Sequence, residues 1–466
     1  MLRESQDLAF RSGDRLTAGR ADANLGEVLR QLGDLDGAEQ AHEKALAAAM
    51  EIGTALGISS QFFNLGLIHK DRGALREAYT QLEQALSWFH RIDYRIEEGR
   101  AGAALASIHL AEGDSAKASE RLTEALAVSR STRMIEGEIE ALQGLAELGF
   151  HEGELDEALQ SEESALQRLI RQHRPALAAR VLASSADLLA HTGNVSLARR
   201  RLTQAEAASR RSADRLVSCR LLGTGARFSF CEGDLAASRS ASEEQLGLAR
   251  RMRARPLEAT ALRGLARIAW AGGETPRALD LLREARGIAE KSGDRLTVTE
   301  ISVELAGADL ESGDFDASLK LAREAADWYH DRHFSAESLA LAIAAEDLLR
   351  LQRPAEARDL AVRARALVPE MDHELRLEIA PALARVEAAQ GDPGKALRDL
   401  GSAITEAEQA GFVPVAFEAR LAKGEILSSR GETEDLRLLQ KDAEAKGFRW
   451  IARRAAGALA NKTAGP

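Results

Sequence analysis

The chain has 466 residues, of which 45% are hydrophobic and only 4% aromatic, with 9 prolines and a formal net charge of −11. That length exceeds what a single compact core serves, and the acidic balance argues against a general nucleic-acid binder, which needs a basic surplus to neutralise phosphates. No apolar run approaches the ~18–20 residues that span a bilayer, and Met1–Asp7 lacks the apolar stretch of a secretory leader, so a cytoplasmic location is expected. Cys219 and Cys231 fall on one predicted helix. At roughly 18 Å along its axis they cannot bond to each other.

In chain order, the first landmark is Ser12-Gly13-Asp14-Arg15-Leu16-Thr17, which returns at 292–297. It places residues 1–13 where the second helix of a repeat belongs, without its first helix. Either the chain opens on a half-repeat cap or it is the C-terminal portion of something longer. The second is preferred, because an orphan helix bares the apolar face its partner should cover. A glycine turn then recurs at every fortieth position, at Gly33, Gly73, Gly113, Gly153, Gly193, Gly233, Gly273 and Gly313. Fixed self-similarity on this scale marks a stack of identical supersecondary units, so residues 14–333 read as eight regular units.

Beyond them, 334–447 reads as three less regular units. Arg353-Pro354 replaces the glycine turn, the register slips by two, and Gly391 and Gly431 resume it. Pro381 falls inside a helix pattern and is expected to bend it. Phe448 to residue 460 reads as a helix covering the last repeat, and 461–466 as a loose tail.

Within each unit, small residues recur around the glycine. One column is Gly26, Gly66, Ala106, Ala146; a second is Ala38, Ala78, Ala118, Ala158; a third is Ala45, Ala85, Ala125, Ala165. Leucines such as Leu25, Leu65 and Leu105 precede the first column. Small side chains at fixed points on two helices let the axes approach while leucines fill the gaps. The glycine is suited to ending the first helix in the left-handed conformation, and the acidic residue after it to capping the second.

These columns resemble the tetratricopeptide repeat (TPR), with a longer period and without the proline that usually closes the second helix. The resemblance implies an all-α, right-handed superhelical solenoid whose first helices line a concave face. Units of this length are similar to those in sensor arms of large bacterial regulators. Phe63-Asn64-Leu65-Gly66 with Gly73 is similar to animal scaffolds of the Leu-Gly-Asn repeat type. The function implied is non-catalytic binding of a protein or peptide, with the ligand- or partner-sensing arm of a larger bacterial transcription regulator or signalling kinase as the alternative.

Aligning first helices by the period picks out concave-face positions. Arg180, Arg220, Arg227, Arg263 and Arg267 fall close to Phe230 and Trp270, in the middle of the array. Forked arginine donors suit carboxylates, and aromatic rings anchor apolar side chains, so this patch reads as a groove for an acidic segment with an apolar anchor. The competing reading pairs these arginines with acids on neighbouring helices. Asn24 and Asn64 occupy one column on successive first helices; asparagines there bind ligand backbone in peptide-binding relatives, while the competing reading has them tie adjacent helices together. His69 with His109, and His151 with His191, are each one period apart without a third ligand, so no metal is expected. No cofactor motif appears, since Gly223-Thr224-Gly225 lies within a helix pattern rather than after a strand.

Overall fold

The computed structural model describes residues 14–169 and 172–463. Among these, 23 helices follow one another and no strand forms. They run as antiparallel pairs, from Arg15–Gln31 with Leu35–Ile52 to Val413–Ser428 with Glu434–Ala445, and then Arg449–Thr463. Residues 1–13, read as an orphan helix, lie outside the described residues. The last helix continues to Thr463, so the first part of the segment expected to be a loose tail is helical.

Each pair is built as its small-residue columns dictate. Ala38, Ala78, Ala118 and Ala158 are completely buried where two helices cross. A Cβ at Gly66 would stand 2.6 Å from Leu82, so only hydrogen fits between those helices. Asp34, Asp114, Asp234 and Asp314 accept hydrogen bonds from backbone N–H groups three residues on, closing the first turn of each second helix. Glu274 at the equivalent place makes no such bond, its side chain being one methylene longer.

The turn between paired helices passes through a left-handed residue each time, and the corner between pairs often does so too. Asp93, Arg133, Arg253 and His333 hold φ between 53° and 58° at corners where Gly53 and Gly293 do the same. This left-handed stop closes many of the second helices in place of a proline. The register slip also resolves. Gln352, not Arg353, takes the left-handed conformation, at φ 61°. It stands one position short of a full period after Gly313, and Gly391 follows it one position short of the next. One residue is lost from each of two units. Pro381 is accommodated inside the helix His373–Ala389.

The solenoid also touches itself. Helix Ala55–Arg72 meets Arg255–Ala271, and Arg95–Glu112 meets Arg295–Ser312, each five full periods apart. Past the slip, Pro175–His191 meets His373–Ala389 and Arg215–Cys231 meets Val413–Ser428, each two positions short of five periods. About five units therefore make one superhelical coil, and two coils stack. Glycine turns seat on corners one coil further along: Gly73 faces Ser292 and Pro256, Gly153 faces Pro369, and Gly233 faces Val413. Between Gly113 and Gly153 the seam is sealed by the Ser335 amide donating to the His151 carbonyl at 2.9 Å.

One core column breaks its apolar pattern at His42, Ser242 and, with a carboxyl, at Glu162. Nine residues after the turn glycine, Leu82, Leu122, Leu202 and Leu282 are buried, but Glu162 takes the same place with no exposure. Burial pushes its carboxyl up to about 8, and Ser184 and Arg180 offset only part of that. The unfolded side chain ionises near 4.5 whereas the folded one keeps its proton to about 8, so stability drains away as pH rises between those values. Glu162→Leu should therefore stabilise the protein at pH 8 by on the order of a few kcal/mol, with the gain vanishing towards pH 4 in urea titrations.

The coil contact generates a second prediction. Gly113 and Gly313 have similar φ, 83° and 88°, but a Cβ at Gly113 would lie 2.5 Å from the Trp328 ring, whereas Gly313 has open space. Gly313→Ala should cost about 1–2 kcal/mol from the left-handed backbone alone. Gly113→Ala should cost clearly more in urea denaturation, because it also pries the coils apart.

Candidate functional site

First helices form the inner wall. They pack on the first helices of neighbouring units and supply the cross-coil contacts, so their free faces enclose a lumen. At the N-terminal end this lumen opens into a cavity of about 540 Å³. Asn24, Asn64, Arg30, Arg100, Glu136 and Arg174 are among its lining residues. Among the described residues, neither asparagine amide is hydrogen-bonded to another side chain or to backbone. Arg100 is held between Glu140 at 3.2 Å and Glu97 at 3.1 Å, with its guanidinium 5.0 Å from the Phe63 ring centre.

Deeper in, acids already neutralise much of the arginine stripe. Arg263 donates to Glu300 at 2.7 Å and to Glu304 at 2.8 Å, and Arg267 reaches the same Glu304 at 2.7 Å. Burial would raise Glu304, but the two guanidiniums outweigh it and hold the carboxyl at about 2. Arg227 bridges Asp187 of the first coil at 2.8 Å and Glu374 of the second at 3.2 Å. These pairs were legible in principle, because Arg227 and Asp187 are 40 residues apart and Arg263 and Glu304 are 41. Opposite charges one period apart face each other on adjacent helices. Glu374 carried no such signal, since it reaches Arg227 only through the coil.

The aromatic pair is covered as well. Phe230 packs 6.2 Å from Phe448, and Trp270 meets Trp450 edge-on at 5.7 Å between ring centres. The last helix, Arg449–Thr463, thus sits on these side chains as a further first helix would. It is pinned by Arg454 to Glu311 and Glu425, each at 2.6 Å, and by Arg453 to the Gly273 carbonyl at 2.9 Å. Of the nine residues picked from sequence, Arg227, Arg263, Arg267, Phe230 and Trp270 are engaged within the chain. Asn24 and Asn64 face the open cavity. Arg180 has no ion pair among the described residues, and Arg220 has only Asp71, at 3.8 Å.

The histidines serve the same architecture. His191 lies 3.2 Å from Asp372 and 3.5 Å from Glu374, both on the next coil. Burial opposes its protonation, but Glu374 and Asp372 win and raise it above the usual imidazole value. Cys219 and Cys231 are both free thiols, pushed up by burial to about 11 and about 12. Among the described residues no cluster of three or more His, Cys, Asp or Glu is arranged to hold a metal, and no helix is long and apolar enough to cross a membrane.

A family model described as "Tetratricopeptide repeat" matches residues 103–168 and 234–294. Those two stretches carry tetratricopeptide repeats. No curated protein matches it in sequence. Among solved structures, a Rap protein complexed with Competence and Sporulation Factor shares 11% identity at a TM-score of 0.58, over 77% of this chain and 99% of that one. Cut9-Hcn1, an APC/C hetero-tetramer, matches at 11% identity and a TM-score of 0.53, over 97% and 96%. A STAND protein from Pyrococcus horikoshii with a tetratricopeptide repeat sensor matches at 14% identity, over 79% and 52%, with a TM-score of only 0.39. The first two establish a shared TPR-type solenoid.

The raised His191 makes the coil seam sensitive to pH. Its ion pairs contribute stability fully below about pH 6.5, the unfolded value, and lose it as pH climbs through the raised folded value. His191→Gln should therefore cost about 1–2 kcal/mol in mildly acidic solution and nearly nothing at alkaline pH. Melting both proteins across that range checks the trend, and a gap that widens with pH would contradict it.

Proposed function

We propose that this chain is a non-catalytic, cytoplasmic interaction scaffold that holds a protein or peptide segment in its lumen. The observation that carries this reading is the N-terminal cavity, where the Asn24 and Asn64 amides stand one period apart with donors and acceptors unused among the described residues. Two such amides match the alternating carbonyl and N–H groups of an extended chain. The Rap protein was solved with Competence and Sporulation Factor, and Cut9-Hcn1 as a hetero-tetramer. Both lend this reading the support of a shared fold. Arg180 and Arg220 belong to the binding face in this reading, while Arg227, Arg263, Arg267, Phe230 and Trp270 hold the wall in place and meet a ligand only at their edges.

Random peptides displayed against the full chain test this directly. Selected peptides should lose roughly tenfold in affinity for the Asn24→Ala/Asn64→Ala double variant, about what two net hydrogen bonds supply. Peptides that bind the variant as tightly as the wild type would move the site away from this cavity. The coil closure favours a second reading, the sensing arm of a larger bacterial regulator or kinase. A ligand spanning the lumen would touch units far apart in the chain and so bias the coil as a whole.

A further inference from the structure

Behind the cavity, the lumen carries a group of cations with few close ion pairs among the described residues. Arg30 lines the cavity and gives its Nε to Asp71 at 2.9 Å, which occupies that carboxylate. Glu27 lies 3.8 Å from Arg30, Glu140 is taken by Arg100, and burial keeps Glu162, the acid beside Arg180, protonated up to about 8. Three charges remain. Lys70, from the second unit, gives its ammonium, among the described residues, only to the neutral Ser107 hydroxyl, at 3.0 Å. Arg180, from the fifth unit, has no ion pair among the described residues. Arg220, from the sixth, stands off Asp71 at 3.8 Å with half its side chain exposed. These residues come from units well separated in the chain, but Arg220 reaches across the lumen to Asp71, the neighbour of Lys70, and Arg180 lies on the helix packed beside that of Arg220.

The group is electrostatically uncomfortable. Burial pulls Lys70 down to about 8, and the partial help of Asp71 is opposed by Arg220 and Arg180. Arg180 is lowered by burial and by Arg220 and Arg30, against Glu140 and Asp71. Elsewhere in this lumen each buried arginine stands against carboxylates, as Arg263 and Arg227 do. Here, among the described residues, the nearest carboxylate, Asp71, is already engaged by Arg30 and stands 3.8 Å from Arg220, which leaves room for an external anion.

We propose that Lys70, Arg180 and Arg220 form an oxyanion seat across the lumen, taking a compact group with two or more negative charges on oxygen. This deepens the scaffold reading and rests on it, because it supplies the ligand chemistry for the same lumen. The anion reaches the seat from the cavity side and joins the second unit to the sixth, so it ties the first coil to the start of the second. Two sources carry this chemistry: adjacent carboxylates of an acidic peptide segment, or a free phosphate-type ion.

Calorimetric titration of the full chain at low ionic strength, with tetraglutamate in one arm and inorganic pyrophosphate in the other, separates them. At least one probe should bind, with affinity reduced about tenfold or more in Arg180→Met and in Arg220→Met. Arg200→Met, which changes an exposed side chain on a second helix, should leave binding unchanged. The probe that binds identifies the source. Failure of both probes, or equal weakening by Arg200→Met, overturns the seat. Thermal melting supplies an independent readout: without ligand, Arg180→Met should raise Tm by about 1–2 °C, because it relieves like-charge repulsion. A fall in Tm would show that the fold needs Arg180 and would overturn its part in the seat. Arg220→Met removes a half-exposed side chain and keeps the binding test open whatever Arg180→Met does to stability. If selected peptides need Asn24 and Asn64 but ignore Arg180 and Arg220, the seat fails while the scaffold reading stands.

Discussion

Contact between one superhelical coil and the next, five units on, is the constraint from which the rest of this molecule follows. A helical solenoid is stable through nearest-neighbour packing alone, and its pitch is then free to relax. Here the pitch is fixed because the glycine turns of the first coil rest on the corners of the second. That seating requires turns without side chains, since Trp328, Pro256 and Pro369 occupy the space a Cβ would need. It also narrows the concave face into a lumen, so residues that would be solvated in an open solenoid must find partners.

Charge pairing along the lumen follows from that confinement. Arg263, Arg227 and Arg385 each meet two carboxylates, and Arg385 is bracketed by Glu346 at 3.2 Å and Glu425 at 2.8 Å. A pair of this kind is weak evidence of added stability, because desolvation consumes much of the attraction. Its clearer role is register: Arg227 can satisfy Asp187 and Glu374 together only when the fifth, sixth and tenth units stand at the right heights. Against this background Lys70, Arg180 and Arg220 near the cavity stand out, because among the described residues none of them makes a close ion pair.

Much of the architecture was legible in the sequence because the period is short-range information. Glycine turns, aspartate caps and the alanine columns each act within one helix pair, and the helices form where those signals place them. The groove residues were harder to interpret. Arg227 and Trp270 do lie on first helices, but what they touch depends on the coil: Glu374 lies 147 residues from Arg227, and Trp450 belongs to the last helix, several units beyond Trp270. No local pattern encodes a contact five units away. The corners were obscured for a different reason, since Asp93, Arg133, Arg253 and His333 adopt a backbone conformation that glycine usually announces. Glu162 hid in a leucine column because its neighbours in the alignment looked like ordinary core.

Repeat arrays usually grow and shrink by whole units, since a removed repeat leaves its neighbours to close over the gap. The coil seam withdraws that freedom here. Excising one unit from the first coil would re-pair every turn with the wrong corner, setting Gly113 against a different residue from Trp328 and separating Trp270 from Trp450. The two units shortened by one residue each already show how small a shift the seam absorbs, as the contacts beyond them fall just two positions short of five periods. Within the described residues, repeat number is part of the tertiary structure, and the array changes by a full coil or not at all.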